Sequence, residues 1–155
     1  MRLLPAALVA AGLLTMVFAA PVAAVSASAA CPNSGLAVMP VVLVTDKGRY
    51  RYALDVAATD DQQQCGLMYR KAMPRGSGMI FPFQTPRSAT FWMENTPLPL
   101  DLVFVGADDR VVSISLGKPY SRDLIDSRGI AASVIELNAG EARRIGLKPG
   151  DRIER

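Results

Sequence analysis

The residue pattern predicts an α+β fold that is mainly antiparallel β, a sheet curled toward a small, partly open barrel with one or two short helices. Three observations carry that expectation. Seven or eight short runs rich in β-branched and aliphatic residues recur along the chain, with Gly, Pro, Asn or Asp between them. Helix-start signals occur at only two places. The chain has 155 residues, half of them hydrophobic, which suits one domain with a sizeable core and excludes disorder for most of its length.

Taken in order, residues 41–44 and 50–56 are β-rich and flank Asp46-Lys47-Gly48, whose glycine can take positive φ, so they read as a hairpin. Thr59-Asp60-Asp61-Gln62 matches a capping box, in which the Thr59 hydroxyl accepts from a free backbone N–H and Gln62 reaches back. Asp60 and Asp61 favour the positive end of a helix expected over residues 60–69. Residues 73–78 connect it to short strands at 79–83 and 89–94. Pro82 and Pro86 place that segment at a sheet edge or corner, because proline cannot donate to a ladder. Residues 100–105 and 110–116, joined by Gly106-Ala107-Asp108-Asp109, should pair antiparallel. Residues 118–129 are polar without a period of two, and read as an excursion outside the core. A strand resumes at 134–137, a helical turn opens at Asn138-Ala139-Gly140-Glu141 and stops at Gly146, and a final strand runs through Ile153.

Residues 1–29 have the layout of a secretory signal peptide: Arg2, an apolar run, and a small-residue stretch whose Ala27-Ser28-Ala29 fits a cleavage site. A single compact domain over residues 30–155 is then expected in the periplasm or outside the cell. An uncleaved membrane anchor is the competing reading, against which Pro5, Gly12 and Pro21 interrupt the run. Without Arg2 the domain carries 16 basic and 14 acidic residues, a near balance that argues against nucleic acid as a partner. Cys31 and Cys65 would both reach an oxidising compartment, so a disulfide between them is expected. Lipidation of Cys31 is the alternative, disfavoured because Ser28-Ala29-Ala30 lacks the large aliphatic residue that usually stands three positions before such a cysteine.

The absence of histidine removes Ser-His and Cys-His nucleophiles, a histidine general base and imidazole-ligated zinc. No acidic loop has calcium-ligand spacing, and Gly76-Ser77-Gly78 is too short to cradle a phosphate, so no metal or cofactor is expected. The densest polar–aromatic stretch is Trp92-Met93-Glu94-Asn95-Thr96. By strand alternation Thr90, Trp92 and Glu94 share one face while Phe91 and Met93 share the other. The chain's only Trp, beside Glu94, Asn95 and Thr96, suits sugar or peptide binding, where the ring is a platform and the polar groups fix orientation. The plainer alternative has Trp92 plugging the end of the core. Asp101 falls with Val103 and Val105, opposite Leu100, Leu102 and Phe104, and a carboxylate on an apolar face needs a partner, for which Arg70 is the candidate. Glu136 falls on the opposite face from Ile135 and Leu137, and a solvated face is its plainer account. Convergence of Glu94, Asp101 and Glu136 in one cleft would permit carboxylate-based glycoside hydrolysis.

Six blocks in order, Gly66-Leu67-Met68-Tyr69-Arg70, Gly78-Met79-Ile80-Phe81, Phe91-Trp92-Met93-Glu94-Asn95-Thr96, Pro99-Leu100-Asp101, Val134-Ile135-Glu136-Leu137 and Gly146-Leu147-Lys148-Pro149-Gly150-Asp151, resemble the bacterial and archaeal family known as domain of unknown function 192. The resemblance covers nearly all of the expected mature chain. It implies a compact mixed fold rich in strand and carries no established reaction. Glu94 stands where the family's block usually has Lys, and Cys65 where a polar residue is more usual, which supports a disulfide particular to this exported form. The leading functional expectation is a non-enzymatic binding or accessory domain of the cell envelope, with a groove at Trp92, Glu94, Asn95 and Thr96 and a cell-wall glycan or peptide as partner. The carboxylate hydrolase and a purely structural or interaction domain are the alternatives.

Overall fold

A computed structural model describes residues 31–155. The expected signal peptide and its cleavage site therefore lie outside the described residues. Hairpin strands β1 (Val38–Thr45) and β2 (Gly48–Val56) pair antiparallel in full register, Val38 opposite Asp55 and Thr45 opposite Gly48. Helix α1 (Asp60–Cys65) begins with the capping box, the Gln62 N–H donating 3.2 Å to the Thr59 hydroxyl and the Thr59 N–H donating 3.1 Å to Gln62 Oε1. The helix stops four residues before the expected 69. Gly66 takes φ 49° and ψ −132°, which leaves the helical region, and an added side chain there would meet the Phe81 ring at 3.3 Å.

Strand β3 (Ser77–Arg87) is longer than expected and runs parallel to β2 over residues 77–80, the one parallel pairing in the main sheet. Its first half is therefore interior. From Pro82 onward β2 has ended, and the antiparallel ladder to β8 (Ala131–Asn138) shifts register between Pro82 and Arg87, so the prolines do occupy a local edge. β4 (Thr90–Phe91) keeps only two of the six residues expected and pairs outside the main sheet with β7 (Ile125–Asp126), a two-residue strand within the polar excursion. β5 (Leu100–Val105) pairs antiparallel with β6 (Val111–Gly117) on one side and with β8 on the other. After α2 (Glu141–Ile145), β9 (Arg152–Glu154) adds to β1.

The seven-stranded order is β6-β5-β8-β3-β2-β1-β9. The sheet is not closed into a barrel, but it curls until its edges touch at one end: Arg110 bridges Arg152, and the Val111 N–H donates 2.9 Å to Asp151 O. Every main-sheet strand sends side chains to one shared core, including Leu43, Leu54, Ile80, Val103, Ile135 and Ile153, which is consequently the inside of the curl. α2 adds Ala142 and Ile145 to it. The outer face of β3, β5 and β8 is also covered, by a second core of Phe81, Leu102, Phe104 and Val134 against Leu67 and Met93. Burial on both faces explains why all six residues of β5 are buried, with Asp101 the one polar residue among them.

Candidate functional site

The loop from β4 to β5 is pinned by backbone bonds to two other segments. Met93 N–H donates 2.9 Å to Ser121 O, Tyr120 N–H donates 3.0 Å to Thr96 O, and Tyr69 N–H donates 2.8 Å to Asn95 O. Phe91 turns inward, edge-on between Phe81 and Phe104 at centroid distances of 5.3 and 6.0 Å, and Met93 is buried. The intervening Trp92 consequently points out and is 47% exposed, so it does not plug the core.

Beside the indole lies a cavity of about 210 Å³. Residues 63–68 of α1 and the turn after it form one wall, and Phe81, Phe83 and Phe91 form another. Thr96, itself buried, also lines it, its hydroxyl donating 3.2 Å to Glu94 O. From the sheet side comes Glu136. It stands opposite Met79 of β3 and Leu102 of β5, so it emerges on the outer face rather than inside the curl. A solvated face was the expectation, yet Glu136 is 5% exposed, because α1 and the Trp92 loop cover that face. Among the described residues no donor bonds its carboxyl and no cation pairs with it, and burial alone pushes its pKa up to about 8. On the other side of the indole a second hollow of about 560 Å³ is bordered by Cys31, Pro32, Tyr69 and Glu94. Trp92 is thus a ridge between two concavities.

The remaining sequence candidates separate. Arg70 does not meet Asp101. It pairs with Asp55 at 2.7 Å and donates to the Asn33 carbonyl, tying the segment after Cys31 to β2. Asp101 faces the inside of the curl, opposite Leu137 rather than Glu136, and its Oδ2 accepts 2.8 Å from the Ala142 N–H at the start of α2. The three carboxylates therefore do not converge: Asp101 and Glu136 occupy opposite faces of one sheet, and Glu94 pairs with Arg122 on the surface. Asn95 adopts φ 56° and borders a third, smaller hollow with Tyr69 and Tyr120, whose φ values of 63° and 58° are also left-handed. Sequence reasoning missed Phe83, Tyr69 and Tyr120. No periodic signal marks them, since each lies in a loop or in the unpaired half of a strand.

Cys31 and Cys65 are joined in a disulfide, with Cα atoms 5.5 Å apart. Cys31 accordingly has no free thiol. No helix among the described residues is long and apolar enough to cross a membrane, and the disulfide is compatible with export.

The profile of domain of unknown function 192 (DUF192), described as an uncharacterized ACR, matches residues 42–155. The chain belongs to this family. No curated protein matches this chain. Two solved structures resemble this DUF192 chain closely. One is a protein of unknown function from Novosphingobium aromaticivorans DSM 12444, 42% identical, with TM-score 0.77 over 80% of this chain and 89% of that one. The other is a protein from Sinorhizobium meliloti 1021 described as a "putative transcription regulator", 40% identical, with TM-score 0.74 over 77% of this chain and 94% of that one. At these identities and TM-scores the fold is shared, and neither description carries a reaction.

Proposed function

We propose that the protein is an exported binding module of the cell envelope, a single domain from residue 30 to 155 once residues 1–29 are removed, whose groove at Trp92 receives a glycan or peptide of the envelope. The observation that carries the reading is an exposed indole standing beside a cavity into which a buried, unpartnered carboxyl opens. Folding leaves such a pair only at a cost: the ring forgoes burial and Glu136 forgoes most of its hydration, and neither loss helps the fold. Both are useful to a ligand, which can stack on the ring and satisfy the acid. Thr96 and Glu94 flank the same ridge. A glycosidase built on Glu94, Asp101 and Glu136 lacks support, since its groups lie on different faces. The near-balanced charge gives no electrostatic footprint for nucleic acid.

The test is a fluorescence titration. Trp92 is the sole indole, so its emission reports the groove alone. Envelope glycan fragments and extended peptides are titrated into the folded protein. Saturable shifts in Trp92 emission, with binding weakened in a calorimetric titration of Trp92→Phe, support the reading, and an unchanged spectrum with every ligand overturns it.

A further inference from the structure

The cavity is small for its chemistry. Sites for drug-sized ligands span roughly 300–1,000 Å³, so about 210 Å³ has room for one side chain rather than an oligosaccharide. Its walls are aromatic, with Phe81, Phe83, Phe91 and Trp92 lining it. Its acid is 95% buried by accessibility and aims into the space with no protein group bonded to it. The elements packed around Glu136 present Met79 and Leu102 from the flanking strands, Gln63 and Gln64 from α1, Thr90 and Thr96 from the Trp92 segment, and one charged residue, Arg87. Gln63 is already committed, donating to the Ala57 and Pro82 carbonyls at 3.1 and 2.7 Å. Arg87 does not neutralise Glu136. Its guanidinium lies over the Phe83 ring, 4.4 Å from the centroid, which shows that this wall accepts a cation on its face.

We infer that this cavity takes the primary ammonium group of a peptide side chain, with Glu136 as counter-ion and the surrounding rings as walls. The inference deepens the groove reading and rests on it. An amine satisfies what the empty site leaves open: three N–H donors meet the carboxylate, and its alkyl stem lies against Phe81 and Trp92. Binding must also move a proton. The free acid is largely protonated at neutral pH, and an ammonium ion favours the carboxylate, so Glu136 loses its proton to the buffer as the complex forms.

The experiment compares the blocked tripeptide Ala-Lys-Ala with the same peptide carrying an Nε-acetyl group, on the chain recovered from an exporting host. Isothermal titration is run in two buffers of different ionisation enthalpy, with Trp92 emission recorded alongside. Tight binding of the free amine, at least tenfold weaker binding of the acetylated peptide, and net release of a proton support the inference. Affinity for the amine should also rise about tenfold from pH 6.5 to 8, and this rise should vanish in a folded Glu136→Gln variant. The wild-type measurements stand on their own if that variant misfolds. Equal binding of both peptides, or binding without proton release, overturns the amine assignment while leaving the groove intact. No binding by either peptide overturns the amine assignment as well, and if glycans and other peptides also fail, the groove reading falls with it.

Discussion

Glu136 is a residue whose ionisation works against the fold. Its pKa is raised by burial from 4.5 to about 8 in the folded chain, so the proton is held more tightly folded than unfolded. Stability is then greatest below pH 4.5, as far as this group is concerned, and is lost as pH rises toward 8. The full span is on the order of 5 kcal/mol. Thermal melts of wild type and Glu136→Gln should therefore coincide near pH 5 and separate by pH 8, with the variant the more stable. Parallel melts across that range would remove Glu136 from the site, because a carboxyl with a protein partner has no such cost. Trp92 and Glu136 were both legible as candidates, since alternation against Phe91 and Met93 turned the indole outward and alternation against Ile135 and Leu137 turned the acid away from those two. What alternation cannot convey is which faces are roofed. Glu136 looked solvated because the roof comes from α1 and from Trp92 and Thr96, distant in sequence from β8.

Among the elements, α2 shows how a side chain on a strand can set a helix. Its N-cap is Gly140 at φ 84°, which offers no side-chain acceptor, and Asp101 of β5 supplies one by accepting from Ala142 N–H. Glu141 is held below the usual carboxylate range, first by its bond from Arg144, and Tyr52 donates to it at 2.8 Å. Asp101→Ala should cost about 1 to 2 kcal/mol, the usual range for a lost cap, and lower the melting temperature by several degrees. Asp101→Asn keeps an acceptor and should lose less. Calorimetry of the pair checks the assignment, and an unchanged melting temperature for the alanine variant would return Asp101 to the list of functional residues. Local signals of this kind were readable where the partners are near in sequence, as in the capping box of α1 and the turn at Gly48. The early end of α1 was not, because the reason is the Phe81 ring packed beside Gly66. The parallel β2–β3 pairing was equally hidden: both strands are ordinary in composition, and the direction is set by the α1 crossover between them.

For the molecule as a whole, the Cys31–Cys65 bond closes a loop spanning 34 positions. In the chain-entropy account such a loop stabilises by roughly 3 to 4 kcal/mol, so reduction should lower the melting temperature by roughly 10 °C. The effect should reach the groove, since Cys31 and Pro32 border the hollow beside Trp92. Reduced protein should therefore show altered Trp92 emission below its melting transition, and identical emission would confine the bond to a purely stabilising role. The curl has its own consequence. β9 is only three residues long, yet it lies along β1 while the chain just before and within it reaches the start of β6. It works as a clasp: peel it back, and two unfinished ladders of amides and carbonyls face outward together, each ready to recruit a strand from another molecule. Deleting these three residues should therefore make the protein prone to self-association, which size-exclusion chromatography of the shortened chain would reveal.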